Sequence, residues 1–415
     1  MSTNFRFMVL LTVLLLSVSH VYAQEATPEA PAPRRLLFVS ERDGNREIYV
    51  VNDDGTDLQN LTNNPAEDAY PAWSPDGSRI AFQSDRDGNW DIYVMDANGG
   101  NLQNRTNTPT DEQRPVWDPF ADILDYQTSG FAARNPTPSP NGFWRSQREL
   151  IDDSWQLTGF LEVGATIAEG DSMYRIFTPS GTDVGAFVWS PNSDQIAFER
   201  NGEIYAIEVG DDVRPSLLPR NLTLSEAYDS SPAWSPVGNQ IAYVSNWEIF
   251  VMDSWDGRSA YNLSQNPAYD ISPAWSPDAQ QVAFASFRDD NWEVYAMNSD
   301  GCNVRRLTND NGWDGLPQWQ PDRERSTAVD PSSRVAATER PPTAVVTTPN
   351  ANLRDGPGEN FNVIATASQR ECLSVVGRNA DGSWLQIQHG DTMLWVSASI
   401  VDIVGDVTDI QVIEP

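Results

Sequence analysis

The pattern that organises this chain is first complete at Pro71-Ala72-Trp73-Ser74-Pro75-Asp76-Gly77. Its apolar residues predict a short strand, and the Ser-Pro-Asp-Gly that follows consists of turn-forming residues. Ile80-Ala81-Phe82 predicts a second strand, residues 91–95 a third and residues 101–106 a fourth, with turns rich in Asp, Asn and Gly between them. Four short strands per unit, each too small to bury both of its faces, are typical of a β-propeller blade.

The Trp-x-Pro core of this pattern occurs six times, at spacings of 44, 72, 45, 41 and 44 residues. Such self-similarity predicts a repeat architecture. The first apolar strand, residues 36–39, matches the second strand of a unit, whereas the last unit stops after its first strand. The two ends together complete one blade, which predicts an all-β, six-bladed propeller over residues 35–325. The six tryptophans are Trp73, Trp117, Trp189, Trp234, Trp275 and Trp319.

The spacing of 72 residues between Trp117 and Trp189 leaves too few extra residues for another complete four-stranded blade. We therefore expect an insertion at about residues 120–186, within the third blade or its exit loop. Its start, Asn135-Pro136-Thr137-Pro138-Ser139-Pro140, is rich in proline, which favours an exposed excursion. A seven-bladed ring with one degenerate blade is the alternative.

These units resemble the TolB-like, WD40-like propeller repeat. The resemblance rests on residues 71–77 together with Arg86-Asp87-Gly88-Asn89 and Asp91-Ile92-Tyr93-Val94-Met95. It covers residues 35–325 and implies a six-bladed propeller. Ahead of the propeller, residues 24–34 form only a short, Pro-rich N-terminal segment, so the resemblance is limited to the propeller.

A second module follows the propeller. Residues 326–343 lack periodicity and are interpreted as a linker. Beyond them, short alternating segments separated by Gly and Asp turns predict a small β-barrel over residues 344–405, with a tail at 406–415. Asn352-Leu353-Arg354-Asp355-Gly356-Pro357-Gly358, Trp384 and Trp395-Val396-Ser397 resemble a bacterial SH3 domain. This resemblance implies attachment to cell-wall peptides or peptidoglycan.

The N-terminal residues predict export. Arg6 precedes an apolar run from Phe7 to Val18, and the segment ends with small residues near the expected cleavage site, the last of them Ala23. This order is typical of a cleavable secretory signal, residues 1–23, with cleavage after Ala23. A membrane anchor is the alternative, but the run is shorter than the ~20 residues of a membrane span. We expect a periplasmic or extracellular protein associated with the cell envelope, with no transmembrane segment in the mature chain.

The composition excludes several classes of function. The chain of 415 residues has no lysine, and 27 basic side chains face 59 acidic ones, for a formal charge of −32. So acidic a protein repels nucleic acid, and without lysine it has no Schiff-base chemistry. Beyond the signal only one histidine remains, His389, which is too few for a catalytic triad in the propeller or for a Cys/His zinc site. We expect no cofactor, no metal and no catalytic residue.

Two cysteines are present, Cys302 and Cys372. An oxidising compartment would permit a disulfide between them. They lie in different predicted domains, however, so we expect two unpaired thiols, with the disulfide as the alternative.

One repeated constellation is a candidate ligand site. An acidic residue lies five positions before each Trp-x-Pro tryptophan, except in the fourth unit, where Val184 takes the place beside Asp183. Propeller symmetry would set these carboxylates around one mouth of the channel, where they would attract a cation or a basic peptide. We favour the alternative that each acid caps its own blade's turn through backbone N–H groups. The residues are Asp68, Glu112, Asp229, Asp270 and Asp314.

Three tryptophans in connecting loops are candidate surface aromatics: Trp90, Trp292 and Trp313. Aromatic side chains in such loops suit a binding surface. Packing at the propeller rim is the alternative.

Together these features favour an exported, non-enzymatic binding or scaffold protein. The propeller would bind a protein or peptide, with a basic ligand suited to the acidic mouth, and the SH3-type domain would attach it to the cell wall or envelope. One alternative is a carboxylate-based glycan hydrolase or lyase acting at the channel mouth. Another is a structural surface protein without a defined ligand.

Overall fold

The computed structural model describes the chain in several ranges, all of them beyond the predicted signal. The described residues are 33–119, 124–128, 137–140, 144–151, 154–161, 174–176, 178, 183–209, 218–322, 342–369, 371–390, 392–404 and 410–413. The predicted signal with its cleavage site at Ala23, and the linker up to residue 341, therefore lie outside the described residues.

Short antiparallel strands make up the propeller region. They are β1 (Arg35–Ser40), β2 (Glu47–Asn52), β3 (Gln59–Asn60), β4 (Asp68–Trp73), β5 (Arg79–Ser84), β6 (Asp91–Asp96), β7 (Gln103–Asn104), β8 (Glu112–Trp117), β9 (Leu124–Thr128), β10 (Thr137–Pro138), β11 (Trp144–Ile151), β12 (Ser154–Leu161), β13 (Tyr174–Ile176), β14 (Val184–Trp189), β15 (Gln195–Arg200), β16 (Glu203–Glu208), β17 (Arg220–Asn221), β18 (Asp229–Trp234), β19 (Gln240–Ser245), β20 (Glu248–Asp253), β21 (Tyr261–Asn262), β22 (Asp270–Trp275), β23 (Gln281–Ser286), β24 (Glu293–Asn298), β25 (Arg305–Arg306) and β26 (Asp314–Trp319).

Within the described residues these strands form six four-stranded sheets and one two-stranded sheet. Each four-stranded sheet is a blade whose strands follow one another along the chain, except where the ring closes. The strand orders are β26-β1-β2-β3, β4-β5-β6-β7, β10-β11-β12-β13, β14-β15-β16-β17, β18-β19-β20-β21 and β22-β23-β24-β25, and the two-stranded sheet is β8-β9.

The Trp-x-Pro tryptophans connect neighbouring blades. Each indole is buried, and its N–H reaches back to a carbonyl in the blade before it. Trp117 Nε1 donates to the Ala72 oxygen at 3.0 Å and Trp275 Nε1 to the Ala233 oxygen at 3.1 Å. The turn after the tryptophan is equally regular, because Gly77 takes the left-handed φ of 64° that glycine favours. The repeated motif thus supplies both the turn and the contact between blades.

The ring closes as the sequence predicts. β26 pairs with β1, with Leu36 opposite Trp319 and Ser40 opposite Asp314. The indole of Trp73 then donates to the Gln318 oxygen of this composite blade at 3.3 Å. The two ends of the propeller sequence therefore share one sheet.

The region between Trp117 and Trp189 differs from the prediction of an exposed excursion. Its described residues include the four-stranded sheet β10–β13. Trp189 Nε1 donates to the Thr137 oxygen of β10 at 3.3 Å. Thr137 is therefore the hydrogen-bond acceptor for Trp189, as Ala72 of the preceding blade is for Trp117. The sheet β10–β13 is therefore the blade that precedes β14, and the expectation of an insertion into the third blade is wrong for this sheet.

The number of four-stranded blades agrees with the prediction, although their assignment does not. Among the described residues, the unit at Trp117 contributes the two-stranded sheet β8-β9. Arg145 of β11 binds this sheet, with ion pairs to Asp118 at 2.6 Å and to Asp125. A sequence signal for the missed blade exists, because Ser139-Pro140-Asn141-Gly142 repeats the Ser-Pro-Asp-Gly turn after Pro138 instead of tryptophan.

The C-terminal module is a seven-stranded antiparallel sheet with its own core. Its order is β29-β28-β32-β31-β30-β27-β33, and its buried residues include Leu353, Leu373, Ile387 and Val396. A 3₁₀ turn, Ala398–Ile400, precedes the last strand. The strands are β27 (Thr343–Val346), β28 (Asn350–Arg354), β29 (Val363–Ser368), β30 (Cys372–Arg378), β31 (Trp384–His389), β32 (Thr392–Ser397) and β33 (Val401–Val404).

The two cysteines form a disulfide, so the expectation of unpaired thiols is wrong. Cys302 lies in the turn between β24 and β25, and Cys372 begins β30, with their Cα atoms 5.9 Å apart. Val345 of β27 and Cys302 form a buried cluster against which Tyr261 packs, so the C-terminal sheet lies against the propeller rim. The domain boundary along the sequence did not reveal this proximity in space.

In the described part of the chain, no helix has the length and apolar character of a membrane span.

Candidate functional site

The five predicted carboxylates begin the innermost strands of their blades. Chain direction sets these strand starts on one face of the ring, together with the turns between second and third strands; we call it the front face. All five side chains are buried there, so they do not form the solvent-facing acidic mouth that would attract a ligand. In the fourth unit Val184 is buried as well, whereas its neighbour Asp183 is exposed.

Three of these carboxylates bind an arginine from the second strand's exit in the same blade. The contacts are Asp68 with Arg86 at 2.8 Å, Asp270 with Arg288 at 3.1 Å, and Asp314 with Arg42 at 2.8 Å. In each case the arginine Nε also donates to a serine hydroxyl two residues earlier. A repeated Ser-x-Arg pattern at the end of the second strand therefore marks the partner of each acid, and the sequence analysis missed it.

The other two carboxylates accept hydrogen bonds from hydroxyl groups four residues earlier. Ser225 Oγ donates to Asp229 at 2.8 Å, and Thr108 Oγ1 donates to Glu112 at 2.6 Å. The backbone N–H groups of these loops instead reach the acid that begins a third strand, as in Asn64 N to Glu47 at 2.9 Å. In four blades the predicted capping role therefore exists, but the acid that begins the third strand performs it: Glu47, Asp91, Glu203 or Glu293.

One group of three acids has the donor set of a cation site. Single oxygens of Glu293, Asp310 and Asp314 lie within 4.8 Å of one another. Two guanidinium groups already occupy it: Arg42 lies 2.7 Å from Asp310, and Arg306 lies 2.5 Å from Glu293. Burial raises the pKa of Asp314 to about 6, although the Ser40 hydroxyl and Arg42 oppose the shift. The cluster is therefore an ion-pair network within the propeller.

A cavity of about 480 Å³ lies along the channel wall formed by β4, β8 and β26. Tyr70, Arg114 and Leu316 line it, each at the third position of its innermost strand and each with a positive φ of 51–55°. Arg114 is the one charged side chain among its described lining residues, and it lies over the Tyr70 ring at 4.7 Å. The cavity is apolar and offers a side chain a place to insert, without a paired acid and base.

The three predicted surface tryptophans are half-buried rather than open to solvent. Trp292 contacts Phe287 at 5.6 Å between ring centroids, and the Trp313 indole lies over Gly315, where an added Cβ would come within 2.4 Å of it. Other aromatic side chains are more exposed on the same face. They are Tyr228, Trp247, Tyr269 and Phe287.

Comparison with known proteins bears on the propeller. The family model described as PD40, the TolB beta propeller domain, matches residues 16–132 and 218–334. A search of curated proteins finds no match. Among solved structures, TolB from Acinetobacter baumannii is 18% identical over 70% of this chain and 67% of its own, with a TM-score of 0.49.

A puromycin-hydrolysing peptidase of Mycobacterium tuberculosis is also similar. It is 13% identical over 67% of this chain and 53% of its own, with a TM-score of 0.51. At this identity the likeness extends to the propeller fold alone, and this chain spans about half of that peptidase.

Proposed function

The chain belongs to the family of TolB β-propeller domains, and on that premise we propose that it is an exported, non-enzymatic binding or scaffold protein. Its propeller would bind a protein or peptide, and its C-terminal sheet, which resembles a bacterial SH3 domain in sequence, would attach it to the cell wall.

The observation that carries the proposal is that the front-face carboxylates of the propeller are buried and paired within the fold. All five predicted acids are buried, and each has an arginine or hydroxyl partner in its own blade or the loop before it. They stabilise their own blades and the loops that lead into them, so the exposed part of this face is left to aromatic and loop side chains. Such a surface suits binding rather than acid–base chemistry.

A catalytic reading finds little support among the described side chains. His389, which ends β31 in the C-terminal sheet, has its Nε2 3.6 Å from Glu371 and lies in a different domain from the channel cavity. A glycan hydrolase would need two carboxylates free to act as acid and base or nucleophile. The closely spaced acids Glu293 and Asp314 are instead held by Arg306 and Arg42.

Cosedimentation with peptidoglycan sacculi tests the attachment step. We expect the mature protein to pellet with sacculi and a version ending at Asp330 to stay in the supernatant. The shortened version should also carry Cys302→Ser, because truncation removes the disulfide partner of this cysteine.

The matched control is the full-length protein with both cysteines replaced by serine. It should pellet like the wild type if the C-terminal domain itself recognises the wall. Equal amounts of all three proteins in the supernatant would refute wall attachment, and pelleting of the shortened version would transfer that role to the propeller.

A further inference from the structure

Residues at matching positions in different blades can be compared directly on the front face, because the same backbone hydrogen bonds recur from blade to blade. An acid begins each of these innermost strands, and its backbone N–H donates to a carbonyl oxygen of the preceding blade. The acceptor is the residue just before that blade's third strand. Asp68 N donates to the Arg46 oxygen at 2.8 Å, and Asp270 N donates to the Trp247 oxygen at 2.6 Å. Arg46 and Trp247 therefore occupy the same place in two blades. Any difference between them is not required by the blade fold.

A second equivalence comes from the residue just before each of these acids. Its carbonyl accepts a hydrogen bond from the backbone N–H of the residue that follows the second strand of the same blade. Asp85 N donates to the Glu67 oxygen at 3.4 Å, and Phe287 N donates to the Tyr269 oxygen at 2.8 Å. Asn246 N to Tyr228 O, at 3.2 Å, is a third case. Near β1–β6, charged side chains fill three of these places, and a half-buried tryptophan fills a fourth, because Glu112 N donates to the Trp90 oxygen at 2.6 Å. The three charged residues are Arg46, Glu67 and Asp85. Near β18–β24 most of the places hold aromatic side chains, of which Tyr228, Trp247, Tyr269 and Phe287 are exposed.

We define the aromatic arc as Tyr228, Trp247, Tyr269 and Phe287. Their exposed fractions are 67%, 57%, 54% and 38%. The ring centroids of Trp247 and Tyr269 lie 5.4 Å apart, and those of Phe287 and the half-buried Trp292 form a second pair at 5.6 Å. Scattered exposed apolar residues are ordinary, but several large exposed rings grouped on one face mark an interaction surface.

The backbone beneath Trp247 shows that its ring is retained at a cost. Asn246-Trp247 is a two-residue turn between β19 and β20 with φ values of 47° and 68°. The equivalent turn between β15 and β16 is Asn201-Gly202, with φ values of 54° and 77°. Asn-Gly is the sequence that such a turn favours, and a bulky residue is strained there. Tryptophan is therefore the less stable choice for the turn, which points to a use for its side chain.

Charges around the arc select the partner. Exposed acids stand close by in sequence: Glu226 is two residues from Tyr228, and Asp290 is three residues from Phe287. Two nearby cations are already paired: Arg288 with Asp270 at 3.1 Å, and Arg306 with Asp289 at 3.2 Å. Aromatic faces bordered by carboxylates attract arginine and lysine through cation–π and ionic contacts together.

We propose that the aromatic arc is the docking surface for a cationic peptide segment of a protein partner. The inference rests on the proposed binding function and names the chemistry of its ligand. The partner's arginine or lysine side chains would lie over the Trp247 and Tyr269 rings, with the bordering carboxylates offsetting their charge.

Fluorescence anisotropy with labelled 12-residue peptides tests this surface in the full-length protein. The peptides share a Gly-Ser frame and carry four arginines, four leucines or four glutamates. At about 0.15 M salt we expect the arginine peptide to bind most tightly, and Trp247→Gly with Tyr269→Ser to raise its Kd about tenfold. The glycine restores the turn sequence seen at Asn201-Gly202, so folding is retained.

The matched control replaces Glu67 and Asp85, which occupy equivalent places in another blade, by Gln and Asn. It removes two charges and no ring, and we expect its Kd to change less than about threefold. An equal loss in both variants would show general attraction to an acidic protein and overturn the arc. Tighter binding of the leucine peptide would also overturn it but leave peptide binding by the propeller intact, whereas binding of none of the three would count against both. Self-association that is lost with the two rings would assign the arc to a second copy instead.

Discussion

Replacing Cys302 and Cys372 together by serine should lower the free energy of unfolding of the C-terminal domain by about 2 to 4 kcal/mol. The disulfide joins residues 70 apart in sequence, so it removes much chain entropy from the unfolded state. Other contacts between the sheet and the rim include the packing of Tyr261 against the cluster of Val345 and Cys302, and a hydrogen bond from Thr343 Oγ1 to Asp300 at 3.3 Å. Urea unfolding followed by fluorescence and by far-UV circular dichroism measures the change.

Wild-type protein reduced with dithiothreitol is the control for this prediction. It should unfold at the same urea concentration as the double-serine variant, since both lack the same bond. Identical unfolding of oxidised wild type and variant would show that the disulfide adds no stability to either domain.

Arg42→Met should lower the free energy of unfolding by about 3 kcal/mol at pH 8 and by clearly less at pH 5. Arg42 lies 2.8 Å from the fully buried Asp314 and above the Tyr49 ring at 4.5 Å. Methionine keeps much of the packing but leaves the carboxylate without its cation. Removing one partner of a buried ion pair is costly because the other charge stays buried.

The pH dependence follows from Asp314. Burial raises the pKa of this carboxyl to about 6 in the folded protein, above its ordinary value of 3.8. A raised pKa means that the folded state binds the proton more tightly, so this stabilisation is present below about pH 4 and is lost as the pH rises through about 6. Without Arg42 the pKa should rise further, which makes the defect largest at alkaline pH.

Arg46→Met is the matched control for Arg42→Met. Arg46 pairs with Glu41 and Glu67 at 3.3 and 3.7 Å, but all three side chains are exposed. Exposed ion pairs contribute little, so its unfolding free energy should change by less than about 1 kcal/mol at either pH. A defect of Arg42→Met that is the same at pH 5 and pH 8 would contradict the role given to Asp314.

The regular blades were predictable from sequence because their determinants are local. Trp73 and its equivalents, the Ser-Pro-Asp-Gly turn and the apolar third strand all lie within one unit, and closure followed from matching residues 36–39 to a second strand. The blade β10–β13 escaped prediction because Pro138 stands where its tryptophan would be, although the sequence Ser139-Pro140-Asn141-Gly142 matches the turn motif of the other units.

The candidate site was less predictable because burial and pairing depend on contacts across the fold. The spacing located Asp68 and Asp270 correctly at the start of innermost strands, but the arginine bound to each lies 18 residues further along the chain. Likewise, hydropathy does not distinguish Trp313, folded over Gly315, from Trp247, which stands exposed on a strained turn. To predict the disulfide, one would need to know that β27 lies against the propeller rim, and no local sequence pattern gives that information.

Amide hydrogen exchange with and without the arginine peptide tests most directly whether the front face binds its ligand through the aromatic arc. Slower exchange is expected in residues 226–229, 246–248 and 268–270, which carry Tyr228, Trp247 and Tyr269. The equivalent residues 45–47 and 66–68 should exchange at unchanged rates. Protection confined to the channel strand β4 or to the C-terminal sheet, with none around the arc, would contradict the account.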